Sequence, residues 1–154
     1  MLSLYTVLLA VHIIAAIVWV GGGLALQILG TRLQRANEPV RLAAFARDVE
    51  WVGTRIFTPA SLLLLLAGIW LVIEGEWGFE SLWIILAILA FLYSFVSGAF
   101  FIGPTSKKLG ARLERSGPED PEVQAGIARI FLMSRVELVI LFLIVIDMAI
   151  KPGA

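Results

Sequence analysis

Four stretches of this chain, about 4–29, 56–73, 82–103 and 133–150, are too long and too apolar for ordinary core helices. Crossing about 30 Å of hydrocarbon takes roughly 20 apolar residues in helical form. Lipid offers no hydrogen bonds, so a segment inside it must satisfy its own backbone, as a helix or as a strand of a closed barrel. A barrel strand alternates apolar and polar residues with period two, and no such alternation is present. The expectation is an all-α integral membrane four-helix bundle forming one membrane domain, 1–154. The first run starts almost at Met1 without a basic flank and exceeds the length of a leader's apolar core, so it reads as a span.

Charge orients the spans. Only Glu74 to Ser81, acidic and carrying Trp77, separates the second from the third. The other two connections are basic: Arg32, Arg35, Arg41, Arg47 and Arg55 follow the first span, and Lys107, Lys108, Arg112, Arg115, Arg129 and Arg135 follow the third. Lysines and arginines collect on the cytoplasmic side of membrane proteins. This predicts cytoplasmic basic connections, both ends outside, and a multi-pass cell-membrane location. Trp70, Trp77 and Trp83 would then anchor the outer interface.

The basic connections carry helix signals of their own. Glu38-Pro39 and Asp120-Pro121 read as a cap followed by proline at the first helical position. Apolar residues recur at helical spacing after each proline: Leu42, Phe45, Val49 and Val52, then Val123, Ile127, Ile130 and Phe131. Helical extensions over about 39–55 and 121–132 follow, with a kink expected near Pro59. They either pack together below the membrane or lie on the anionic inner leaflet. Leu29-Gly30-Thr31-Arg32-Leu33-Gln34-Arg35 also echoes Leu109-Gly110-Ala111-Arg112-Leu113-Glu114-Arg115, and Gly23 then aligns with Gly103. This is either a parallel duplication of a two-helix hairpin or a chance match between helix-rich segments.

Absences narrow the chemistry. There are no cysteines and one histidine, which excludes thiol nucleophiles, thiolate metal sites and a bis-histidine haem within one chain. No nucleotide or hydrolase motif is present, and zero net charge gives no reason to expect nucleic acid. Gly21-Gly22-Gly23 lies inside an apolar helix with no lysine after it, which points to close helix contact or a kink rather than a phosphate loop.

His12 is the first candidate site residue. It shares a stripe with Ala16, Trp19, Gly23, Gln27 and Gly30, small and polar residues of the kind that face other helices. An ionisable group inside a span is a functional hypothesis by default, and imidazole ligates haem iron and other transition metals. A neutral histidine hydrogen-bonded to a neighbouring helix is the plain alternative. Asp147 lies at a similar depth, roughly 7 Å outward of mid-membrane at 1.5 Å per residue. It would orient the imidazole if the first and last helices are neighbours, or it is a solvated helix-end residue. Met148 is a soft ligand at nearby depth. Glu137 reads as an inner-interface residue, either paired with Arg55 or snorkelling. Tyr93, Ser94, Ser97 and Gly98 read as helix packing.

The first-helix residues Val11-His12-Ile13-Ile14 and Trp19-Val20-Gly21-Gly22 resemble the pattern of a superfamily of small four-helix membrane proteins. That superfamily includes membrane-bound protoporphyrinogen oxidases and the membrane domain of copper-resistance D proteins. The tail Asp147-Met148-Ala149-Ile150-Lys151-Pro152-Gly153 is similar to a sister group of predicted integral membrane proteins of unknown function. The resemblance implies haem b on His12, with Trp19, Asp147 and Met148 as the neighbouring site residues. The oxidases also use a lysine in the third helix, and the third span here has none.

Three functions compete: a haem-linked redox protein using His12, a non-enzymatic membrane subunit or transporter-like module, and metal-ion (copper) handling with His12 as ligand. The partners expected are the lipid bilayer and either further copies of the chain or a larger membrane complex.

Overall fold

Prolines and glycines set the shape of the helices. The computed structural model of the chain describes residues 3–36, 38–117 and 119–153, and these are helical apart from short turns. Four long helices follow one another: α1 (Leu4–Ala36), α2 (Val40–Glu74, headed by Pro39), α3 (Leu82–Ser116) and α4 (Pro121–Ile150). The first three are each interrupted by one wide π-turn, at Ile17–Gly21, Gly53–Phe57 and Ser97–Ile102.

Two of these π-turns have the same cause. Proline has no N–H to give the carbonyl four residues back, and its ring crowds that carbonyl. Pro59 and Pro104 each lie six residues after a glycine, Gly53 and Gly98. In both cases the residue just before the proline gives its N–H to that glycine's carbonyl, five residues back. The Thr58 hydroxyl donates to the Gly53 carbonyl as well, at 3.0 Å. The kink expected near Pro59 is thus a π-turn ending just before it, and Pro104 creates a matching one. The first π-turn has no proline and runs into the glycine triplet.

The first and third π-turns begin eighty residues apart. That is the offset that aligns Gly23 with Gly103 and Leu29–Arg35 with Leu109–Arg115. The echo in sequence is therefore also an echo in backbone form, as duplicated helical hairpins would produce. It stops at the second helix of each hairpin, because α4 is regular throughout.

α1, α2 and α3 are each long and apolar enough to cross a membrane. α4 has the length, but Arg135, Glu137 and Asp147 fall within its apolar stretch. This differs from the four equivalent spans expected from hydropathy. Outward-facing apolar residues are correspondingly exposed, among them Ile17, Leu66, Leu89, Phe100 and Val139, as suits a molecule whose solvent is lipid.

The helices pack as two hairpins joined at one end. In the half away from the arginines, α1 lies along α2 and α3 along α4. In the arginine-rich half, α2 crosses to α3, and α1 also reaches α4. Both α1 and α3 continue there as helix, to Ala36 and Ser116, so all four helices extend past their apolar runs and pack together. Val123, fully buried, centres a cluster with Leu113 and Ile127, edged by Leu42, Leu109 and Phe131. Charges ring this end. Arg47 pairs with Glu114, and Arg112 pairs with Asp120 at 3.0 Å and with Glu122.

Of the two expected caps, Asp120 accepts the Glu122 N–H at 2.8 Å. Its bond to Arg112 holds its carboxyl below the ordinary aspartate value. Glu38 makes no cap bond and pairs instead with Arg41 at 3.0 Å. Glutamate is too long to reach its own helix terminus comfortably, and short side chains are preferred there.

Candidate functional site

A cavity of about 260 Å³ lies between the helices in the arginine-rich half. The end away from the arginines is closed by Trp19 and Leu141, which form a buried cluster with Phe91. The Trp19 and Phe91 rings meet edge to face, 5.6 Å between centroids, a favoured aromatic geometry. Its other end reaches Leu113 and Ile127 of the inner cluster. Exposed Thr54 and Thr58 also line it, so the cavity opens past them, beside exposed Arg55.

All three π-turns border this cavity: Trp19 from the first, Gly53, Thr54 and Phe57 from the second, Gly98, Ala99 and Ile102 from the third. π-Turns are rare and concentrate at functional sites, because the extra residue displaces side chains and loosens carbonyls. Three of them around one space is the strongest structural signal in the molecule. The duplication offset pairs Trp19 with Ala99, so the cavity walls are unequal.

Several of the polar groups lining it are unpaired. Glu137 lines the cavity and has no hydrogen bond or ion pair among the described residues. Arg55, its expected partner, is exposed and unpaired with it. Ser94, only 1% exposed, also lines the cavity, and its Oγ has no partner. The Gln27 amide nitrogen is likewise buried there without an acceptor. Ser61 is satisfied by the Thr58 carbonyl at 2.9 Å. Buried polar groups nearly always find partners, so an unpaired carboxylate, hydroxyl and amide around one space mark a place built for something else.

The residues singled out from the sequence are spread over three places. His12 sits on the seam between α1 and α2, outside the cavity lining. Its Nδ1 lies 2.9 Å from the Leu64 carbonyl, so it donates there and leaves Nε2 free. Gly68 makes room for the ring: a Cβ at that position would lie 3.0 Å from His12 Cε1. Trp19 is on the cavity. Met148 packs in an outer cluster around Val72, Trp83 and Ile84. Asp147 lies on the same part of α4, with Oδ2 buried and unpartnered. The Lys151 ammonium rests over Trp77 and Trp83, at 4.4 and 5.4 Å from their centroids. Thus α1 meets α4 mainly in the arginine-rich half, while His12 pairs with α2 and Met148 packs against residues of α2 and α3. Among the described residues no three histidine, aspartate or glutamate side chains gather as a metal site.

Sequence reasoning missed Glu137 as a centre. The available signal was the charge itself: Glu137 falls on an apolar helix, two turns past Ile130 and one before Leu141, both of which face inward.

No curated protein and no solved structure matches the chain. A family described as "Predicted integral membrane protein (DUF2269)" matches residues 6–152. Nearly the whole chain is covered, so this protein belongs to the DUF2269 family of predicted integral membrane proteins.

Proposed function

We propose that this chain is a non-enzymatic membrane module of four spans, with both ends outside and its arginine-rich end in the cytoplasm. Its chamber takes up a small solute from the cytoplasmic side, in the manner of a channel or transporter component. The observation that carries this reading is the chamber bordered by three π-turns and furnished with unpaired Glu137, Ser94 and Gln27. In this reading α4 is the fourth span. Its charges each have a place there: Arg135 at the inner interface, Glu137 in the chamber and Asp147 near the outer end. The Trp19–Phe91–Leu141 cluster acts as the outer seal.

The absence of cysteine makes the test direct. Ser94→Cys and Ser134→Cys, both at chamber-lining positions, are expected to react with a water-soluble, membrane-impermeant maleimide added to the cytoplasmic face of inside-out vesicles. The same reagent is expected to leave them untouched from the outer face of right-side-out vesicles. Inert cysteines on both faces would remove the chamber from the account.

A second reading rests on the His12 geometry. Donation of Nδ1–H to a backbone carbonyl is how ligating histidines are commonly held, with Nε2 presented to the metal. In this reading His12 would hold haem b, the cofactor that the first-helix resemblance implies, through Nε2, and the haem would supply redox chemistry. Met148 does not fit as a further ligand on His12, because it packs in the cluster around Val72, Trp83 and Ile84. Under this reading, protein purified from haem-replete cells shows a Soret band that disappears in His12→Ala. A haem-free spectrum, or a band indifferent to that substitution, would end it.

A further inference from the structure

The chamber lining points to a class of ligand. Its charged side chains are Glu50 and Glu137, both acidic, and no lysine, arginine or histidine lines it among the described residues. Five aromatic side chains line it: Trp19 at the closed end, then Phe57 and Phe95, with Phe45 and Phe131 towards the arginine-rich end. Aromatic faces are electron-rich and attract cations, and aromatic walls with one carboxylate are how proteins hold ammonium groups. An ionised carboxylate in an apolar enclosure is costly, so such a group either takes up a proton or has a cation beside it. Neither Arg135, two residues away and exposed, nor exposed Arg55 pairs with Glu137 among the described residues. A divalent metal is usually held by several carboxylate or imidazole ligands, and among the described residues no three such side chains gather. The space suits a small molecule, equal to about eight or nine waters at their liquid volume.

We propose that the chamber selects a small monovalent organic cation, its ammonium set against Glu137 and Ser94 and its apolar body against Trp19, Phe57 and Phe95. This rests on the reading that the chamber takes up solute, and deepens it by naming the solute class.

The test uses the Ser134→Cys chain in inside-out vesicles, with benzyltrimethylammonium as probe and its neutral isostere neopentylbenzene as control. The cation is expected to slow maleimide labelling at least ten-fold while the isostere leaves it unchanged. Glu137→Gln, close to isosteric, is expected to abolish protection while the introduced thiol still labels, which shows that the variant is folded and its chamber open. Equal protection by cation and isostere, or protection that survives Glu137→Gln, overturns the cation assignment. Labelling that neither compound slows overturns it too, while leaving the chamber standing. Absence of labelling in both backgrounds defeats the chamber itself and this assignment with it.

Discussion

Val123→Asp is expected to open the arginine-rich end of the molecule and leave its membrane portion assembled. Val123 is completely buried, in contact with Leu113 and Ile127 and near Leu42, Leu109 and Phe131. These residues come from α2, α3 and α4, so one side chain holds three helices. The cluster lies beyond the apolar runs, where the surrounding solvent is water. There the hydrophobic effect acts in full, whereas between helices in lipid it does not. Aspartate at this position is a buried carboxylate with no cation in reach, and an uncompensated buried charge costs about 3–5 kcal/mol. Arg112 and Arg47 do not rescue it, being exposed and already paired with acidic side chains at the rim. Val123→Ala, which only trims the cluster, should cost about 2 kcal/mol. The measurement is limited trypsin digestion in nanodiscs, following cleavage after Arg47 and Arg112. Cleavage that tracks the open population should speed up on the order of a hundred-fold in Val123→Asp, since each 1.4 kcal/mol is a factor of ten. Digestion at the parental rate would show that this end is not held by the cluster.

What the sequence made legible follows the range of the physics involved. Spans are a one-dimensional property, so the apolar runs of α1, α2 and α3 can be read without knowing what they touch. Backbone punctuation is also local. Pro59 announces its own disturbance, and the shared spacing of Gly53 with Pro59 and Gly98 with Pro104 would have announced the second. Helix capping is local too, and Asp120 could be read where Glu38 misled, because chain length decides whether a carboxylate reaches back. The chamber is different in kind. It exists because Trp19, Phe57, Ser94 and Glu137, from four helices, line one gap. Nothing in the neighbourhood of Glu137 along the chain separates a chamber carboxylate from one snorkelling to the interface. His12 shows the same limit from the other side. Its rarity and its small-residue stripe drew attention, yet its partner is the Leu64 backbone, and no side-chain pattern can reveal a carbonyl.

Gly21→Ala and Gly22→Ala, one residue apart, are expected to have opposite effects, and the difference tests whether the first and second π-turns support each other across the chamber mouth. Inside a helix, glycine to alanine is favourable by up to about 1 kcal/mol, because it reduces backbone freedom. At Gly21 nothing lies within 4 Å of an added Cβ, so Gly21→Ala should be neutral or slightly stabilising. At Gly22 the added carbon would sit 2.6 Å from Phe57 Cε1 and 3.0 Å from Cζ. Phe57 belongs to the second π-turn, lines the chamber and packs against the Trp19–Phe91–Leu141 cluster. The ring must move, and overpacking of this kind costs about 1–3 kcal/mol. One side of Phe57 is occupied by that cluster and the other faces the empty chamber, so the ring moves into the chamber. Two readouts follow. The thermal midpoint of Gly22→Ala in nanodiscs falls below that of Gly21→Ala. Maleimide labelling of Ser94→Cys, a buried position on the same chamber wall, also drops several-fold in Gly22→Ala alone. A lower midpoint with unchanged labelling would mean that Phe57 retreats into lipid, and the chamber mouth would then have to be assigned elsewhere than between these two turns.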